Sequence, residues 1–431
     1  MNAFFFGKSK MIGMIKHKID KLRDIAVLFF LTVFLMNCGG EKKEGSETSL
    51  PLGNWRASIE INGGNELPFY LISRQSPKGD IEFVIKNGSE DIVLDKFNVK
   101  NDSLVLPMHI FDTKIVAKIS NKELHGYWIK NYADDYKLPF QAKLTDASRF
   151  EIPEEPIEFN FSGRWQVQFF RDARSYPAIG EFEQNGDILT GSFLTNSGDY
   201  RFLEGSLTQK GFQVSTFDGE HAYLFNAKLE EGDTLSGEYW SGKTGYLTWK
   251  AFKNENATLA DPYDLASVTD EGNVADLSFV NEYGDTISLS DEAYQNKAVI
   301  IQILGSWCAN CMDETAFLSD WYRENNHRNV EIIGVAFERK ADFDYGASRI
   351  KIMKDRYDVG YEIVFGGKQG SESVEKALPM LENFSSYPTT IFINKDREVV
   401  KVHTGFSGPG TGKHYQEFIR EFNQTVDDLV G

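Results

Sequence analysis

From residue 53 to about 255, apolar and polar positions alternate in short runs. "RASIEI", "IEFVIKN", "SLVLPMHI" and "TKIVAKI" keep a period of two, the spacing of strands with one buried face. Asn-Gly pairs at Asn62-Gly63, Asn87-Gly88 and Asn185-Gly186 separate the runs, and this dipeptide suits tight hairpins. Helical spacing is almost absent. The pattern also repeats. "GNWRASIEI" at Gly53 matches "GRWQVQFF" at Gly163, "ELHGYWIKN" at Glu123 matches "TLSGEYWSG" at Thr234, and "LPFQAKL" at Leu138 matches "LTWKAFK" at Leu247. The offsets are 110, 111 and 109 residues, so one unit occurs twice, over 53–149 and 161–255. "FEIPEEPIEFN" (Phe150 to Asn160) joins the copies. Each copy is predicted to be an antiparallel meander of roughly eight strands, closed as a barrel or folded as a sandwich. Trp55, Trp128, Trp165 and Trp240 are expected to plug the cores rather than line a ligand pocket, because aromatics dominate such interiors.

The pattern changes after the polar linker Asn254 to Asn273. "LSFVNEYGDTISL" predicts a hairpin around Tyr283-Gly284-Asp285. "AVIIQIL" (Ala298 to Leu304) and "VEIIGVAF" (Val330 to Phe337) are mostly apolar, without alternation, and read as buried strands. Between them a helix is predicted from about Ala309, with Phe317, Leu318, Trp321 and Tyr322 at core spacing. "DYGASRIKIMKDRYD" is helix-prone. "TTIFINK" (Thr389 to Lys395), "EVVKVHTGF" and a helix near His414 to Leu429 complete residues 270–431. Strand–helix–strand alternation predicts an α/β domain after the two all-β units.

The N-terminus carries Lys8, Lys10, Lys16, Lys18, Lys21 and Arg23, then the apolar "IAVLFFLTVFLM" (Ile25 to Met36), a stretch too short for a comfortable membrane span. Cys38 follows at once. Residues 1–38 resemble a bacterial lipoprotein signal, which implies lipid on Cys38 and a membrane-anchored, periplasm-facing protein of the cell envelope. Asn37 stands where such signals usually have a small residue. Glycine, not aspartate, follows Cys38, so inner-membrane retention is not signalled. The polar segment 39–52 reads as a flexible tether. The net charge is -18, against nucleic acid as a partner, since phosphate backbones need clustered cations.

There are 3 cysteines. With Cys38 assigned to lipid, only Cys308 and Cys311 remain, in "GSWCANC", and a four-ligand zinc site would need a second pair. Their spacing places both at a helix start behind a buried strand. There the unpaired backbone N–H groups and the helix dipole favour a thiolate. Cys308, at the tip, is expected to be exposed and to attack a client disulfide. Cys311, one turn in and more buried, is expected to resolve the mixed disulfide. The alternative is a structural disulfide, although so short a loop contributes little entropic stabilisation.

"GSWCANC" together with "SYPTTIFI" resembles the thioredoxin fold, and more narrowly the TlpA/ResA-type thiol–disulfide oxidoreductases of the bacterial envelope. By that resemblance Cys308 is the nucleophile, Cys311 the resolving thiol and Trp307 the flanking aromatic. Pro388 is the cis-proline opposite the pair, with Tyr387 and Thr389 beside the substrate. Glu314 is the acid that exchanges a proton with the resolving thiol. The family implies protein disulfide substrates, no cofactor beyond the Cys308–Cys311 disulfide, and a membrane electron donor if the chain is a reductase, the direction the resemblance favours. The sequence departs from thioredoxin at Gln302, where thioredoxin has a buried acid. His403 is expected to be a surface or core histidine, and Gly405, Gly408, Gly410 and Gly412 lack phosphate-loop spacing. Two other readings compete: a binding lipoprotein whose β-repeats are the functional part, and a peroxiredoxin-like peroxidase. The second is weakened by Gly305, three residues before Cys308, where a peroxidatic site needs Thr or Ser.

Overall fold

A computed structural model describes residues 50–269 and 274–431. The signal-like segment, Cys38 and nearly all of the tether lie outside the described residues. Among the described residues no helix is long and apolar enough to cross a membrane.

The chain is two all-β units followed by a thioredoxin-like α/β domain. The first copy is a 9-stranded antiparallel sheet running from Gly53–Ile61 to Lys137–Leu144. Its first and last strands pair, with Ala57 opposite Ala142 and Ile59 opposite Phe140. The sheet stays open as a half-barrel, with Glu90–Val93 and Asn98–Lys100 at its edges. The second copy, Gly163–Arg171 to Gly245–Lys253, closes into a barrel through the pairing of Arg174–Asn185 with Ile188–Thr195.

The second copy covers the open face of the first. Phe217, Ala222, Leu224 and Trp240 join the same apolar cluster as Trp55, Phe69 and Trp128. The rings of Phe69 and Phe217 lie 4.6 Å apart. Across the seam Asn87 Nδ2 donates to Phe217 O at 2.9 Å and Thr113 Oγ1 donates to Gly219 O at 2.6 Å. A sheet with an apolar face must bury it somewhere, and here the neighbouring barrel substitutes for closure. Trp55, Trp128 and Trp165 are fully buried, and their indole N–H groups donate to Ser73 Oγ, Gly219 O and Phe161 O. Trp240 is buried in the seam. All four tryptophans are core plugs.

The third domain is built on a 7-stranded mixed sheet. Every residue of its central strand, Ala298–Leu304, is buried. That strand runs parallel to Val330–Glu338 and antiparallel to Thr389–Ile393, which explains why its sequence is apolar at every position but Gln302 rather than alternating. The helices are α1 (Ala309–Asn325), α2 (Phe343–Tyr357), α3 (Ser371–Ala377) and α4 (Lys413–Val430). Ser278–Asn281 and Thr286–Ser288 form the hairpin expected around Tyr283-Gly284-Asp285. Strand Glu362–Lys368 and α3 had no clear sequence pattern. "EIVFGGK" has only three apolar residues before two glycines, too short a run to distinguish from a loop.

Candidate active site

The chain leaves the central strand at Leu304, turns, and enters α1 with Cys308 as its N-cap. Gly305 is required in that turn. A Cβ there would lie 2.3 Å from the Trp307 indole nitrogen, which folds back to donate to Phe337 O at 2.9 Å. Cys308 and Cys311 form a disulfide, their Cα atoms 5.2 Å apart. The Cys308 sulfur also accepts the Cys311 backbone N–H at 3.1 Å. One of the helix's unpaired donors therefore points at Cys308, alongside the positive end of the dipole. Cys308 is 8% exposed and Cys311 0%. Cys308 is the more accessible of the two, but far more covered than a sulfur at a free helix tip. Ile110 and Phe111 of the first copy belong to the same apolar cluster as Cys308, and the second barrel docks beside it. Asn310 Nδ2 donates to Asp199 O at 3.3 Å, and Arg201 donates to Ala309 O at 3.4 Å, so the barrel sits on the dipeptide between the cysteines.

Glu314 lies one turn from Cys311 and is 1% exposed. Its carboxyl accepts from Thr390 Oγ1 at 2.7 Å and from Gln302 Nε2 at 2.8 Å. Burial pushes its pKa up to about 7, although those two hydrogen bonds favour the charged form. Gln302, the departure from thioredoxin, thus serves as a donor to the acid. The proton that Glu314 keeps to about pH 7 when folded leaves near 4.5 when unfolded. The neutral carboxyl contributes stability that is complete below about 4.5 and lost as the pH rises through about 7. Glu314→Gln is neutral throughout. Between those limits the wild type should lose up to about 1.4 kcal/mol per pH unit more than the variant. Urea unfolding at several pH values checks this; parallel stability curves would mean that Glu314 does not titrate there.

The loop facing the pair contains the cis peptide bond Tyr387–Pro388. Pro388 O accepts the Gly405 N–H at 2.9 Å. The rings of Tyr387 and Trp307 meet edge to face at 5.1 Å, and Tyr387 Oη accepts the Gly370 N–H at 3.2 Å. Thr389 is 1% exposed, with its hydroxyl donating to Ser386 O, so its side chain is turned inward rather than toward a substrate. His403 is a core histidine. It packs between the rings of Tyr263 and Phe418, and burial holds its pKa down to about 4.

Sequence reasoning missed the groups that join the three domains at this site. Arg201, buried and in left-handed backbone, pairs with Asp313 of α1 at 2.6 Å, with Glu90 of the first copy, and with Asp218 at 3.7 Å. Burial raises the Asp313 carboxyl to about 7 against the attraction of Arg201, with Glu90 and Asp199 adding repulsion. The glycine loop docks here too, Gly408 N donating to Asp199 Oδ2 at 2.7 Å. Behind Cys308, Glu338 accepts the Ser306 N–H and hydroxyl at 2.9 and 2.8 Å, and Arg349 donates to His109 O and Ile110 O of the first copy. No local signal in "GDYRF" or "FSGPGTG" marks these residues. Among the described residues no group of three or more His, Cys, Asp or Glu is placed to hold a metal ion.

A disulfide at the N-terminus of a helix, behind the central strand of a mixed sheet and facing a cis-proline loop, defines a thioredoxin-like thiol–disulfide oxidoreductase. Residues 271–402 match the AhpC/TSA family. The chain is similar to the thiol-disulfide oxidoreductase ResA of Bacillus subtilis, 29% identical over 153 residues, 35% of this chain and 74% of the relative. ResA of Halalkalibacterium halodurans is 27% identical over 146 residues, 33% of this chain and 74% of the relative. Among solved structures, a thiol-disulfide oxidoreductase from Bacteroides fragilis aligns with 34% of this chain and 99% of its own at a TM-score of 0.25 and 18% identity. A secreted disulfide oxidoreductase of Mycobacterium tuberculosis aligns with 35% of this chain and 99% of its own at a TM-score of 0.27 and 15% identity.

Proposed function

We propose that this chain is a cell-envelope reductase of protein disulfides, anchored through lipid on Cys38. The observation that carries the chemistry is the asymmetry of the pair. Cys308 is the more accessible sulfur and receives a backbone N–H at the helix start, while Cys311 is fully buried behind it. In the reduced enzyme the Cys308 thiolate attacks one sulfur of a client disulfide. A mixed disulfide forms and the client's other sulfur leaves as a thiolate. Cys311, losing its proton toward Glu314, then attacks Cys308. The client leaves with both sulfurs reduced and the enzyme keeps the Cys308–Cys311 disulfide, with two electrons transferred. Glu314 is suited to the proton transfer because its carboxyl titrates near neutrality. Trp307 and Tyr387 flank the pair where an extended client segment would lie. A membrane electron donor would restore the dithiol.

The reduction potential tests the direction. Equilibrating the chain over residues 50–431 against glutathione mixtures and counting free thiols by mass spectrometry should give about -250 to -280 mV, the thioredoxin range. A potential near about -120 mV, as in a strong oxidant, would make the protein a donor of disulfides instead. A pair that stays oxidised under every reducing mixture would be structural, and the β-repeats would then be the functional part.

A further inference from the structure

Beside the redox helix lies a cavity of about 610 Å³. One wall is the mouth of the second barrel, formed by Tyr176, Tyr200, Tyr223 and Tyr239. Facing it are Asn310, between the two cysteines, and Ser385 and Ser386, on the loop leading to Pro388. The Asn196–Asp199 hairpin forms the third side. Its position against the cysteines is set by close packing. Gly198 has φ +139, and a Cβ there would come within 1.9 Å of Asn310 Nδ2.

Four tyrosines give the lining its aromatic surface. Tyr176 and Tyr200 share a hydrogen bond at 3.0 Å between their hydroxyls, and burial keeps the Tyr200 and Tyr223 phenols protonated. Among the described residues no Lys, Arg or His lines the cavity. Its single carboxylate, Asp199, is already occupied by the N–H groups of Gly408 and Arg201. Such walls reward a flat or bulky apolar side chain and penalise a charged one, which would lose hydration without gaining a partner. A second observation points to a peptide. Asn196 Oδ1 and Ser386 Oγ are buried without a hydrogen-bond partner, although buried polar atoms are normally satisfied. Were these two side chains to turn toward the cavity they line, a client's backbone carbonyl and N–H would complete the two groups. An extended chain advances about 3.3 Å per residue, so a side chain near the client's cysteine is the one that reaches the barrel.

We propose that this cavity is the specificity pocket of the redox site, taking an aromatic or large aliphatic side chain next to the cysteine of a disulfide-bonded protein client. The pocket makes the second barrel a selector of clients, and it rests on the oxidoreductase reading above. The test uses the reduced soluble chain, residues 50–431. Its substrates are peptides with one internal disulfide, identical except for Phe, Leu, Gly or Lys beside a cysteine. Hydroxyethyl disulfide serves as a substrate with nothing to place in the pocket. The wild type should reduce the Phe peptide with a kcat/KM about tenfold or more above the Gly peptide, mainly through KM. That ratio should fall toward one in Tyr176→Ala and in Ser385→Trp, a rim substitution at an exposed position. If hydroxyethyl disulfide is reduced but the Phe and Gly peptides are treated alike, the pocket is wrong and the oxidoreductase stands. If the variants fold and keep the wild-type ratio, the preference arises elsewhere and the pocket is again wrong. If the wild type reduces no disulfide at all, both readings fall together.

Discussion

Cys308→Ala is expected to abolish disulfide reduction, with turnover lowered by at least about a thousandfold, as when other enzymes lose their nucleophile. Cys311→Ala should behave differently. Its Cys308 can still attack, but no second thiol completes the exchange, so a mixed disulfide with the client should accumulate and appear as a covalent adduct by mass spectrometry. The two outcomes follow from geometry. Cys308 is the more exposed residue of the pair, and it sits at the helix end where a backbone N–H supports its thiolate. Cys311 is fully buried and joined to it within one helical turn. Adducts on Cys308→Ala and none on Cys311→Ala would reverse the roles. Neither substitution should prevent folding, because so short a disulfide loop adds little stability.

Arg201→Met is expected to destabilise the protein by about 3–5 kcal/mol, the usual cost of removing one partner from a buried ion cluster. The guanidinium holds Asp313 of α1, Glu90 of the first copy and Asp218 of the second barrel. Without it three carboxylates face one another with Asp199 nearby, and each is costly to leave charged. Arg201 lowers the pKa of Asp313, so its loss raises that pKa further above about 7. The sign is therefore fixed. Protonation relieves the variant at low pH, and the deficit should grow as the pH rises from about 5 to 8. Denaturant unfolding of wild type and variant at both ends of that range measures it. A deficit independent of pH would mean that the cluster is not what Arg201 neutralises. Asp313→Asn in the Arg201→Met background should recover part of the loss, which a double-mutant cycle would read as coupling between the two side chains.

Much of the redox domain could be read from neighbouring residues alone. Residues 298–304 are apolar except for Gln302 because the strand is paired on both edges and covered on both faces. A helix start must follow such a strand at once for Cys308 and Cys311 to reach its tip. Glu314 could be placed beside Cys311 because three residues make one helical turn. The twofold repeat was equally plain, since matching positions such as Trp55 and Trp165 plug equivalent places in the two sheets. These features follow from periodicity and spacing, properties that a chain carries before it folds.

Closure, coverage and coupling belong to the tertiary structure. Two copies of one pattern end as an open half-barrel and a closed barrel because the second covers the apolar face of the first. No strand's own alternation contains that fact. Cys308 was expected at a free tip and is instead nearly covered, and a hairpin more than a hundred residues away sets Asp199 against Asn310 next to it. The contact of Gly408 with Asp199 spans 209 residues, and a Cβ at Gly405, Gly408 or Gly410 would crowd Asn196, Asp199 or Arg201 of the docked barrel. Arg201 looks like any surface arginine in sequence, yet it neutralises carboxylates from all three domains. By itself the sequence determined most of the elements, the repeat and the placing of the cysteine pair at a helix start, since these depend on residues a few positions apart. Tertiary structure alone decided what faces that pair, because burial and charge pairing are set by whichever distant segments the fold brings within a few ångströms.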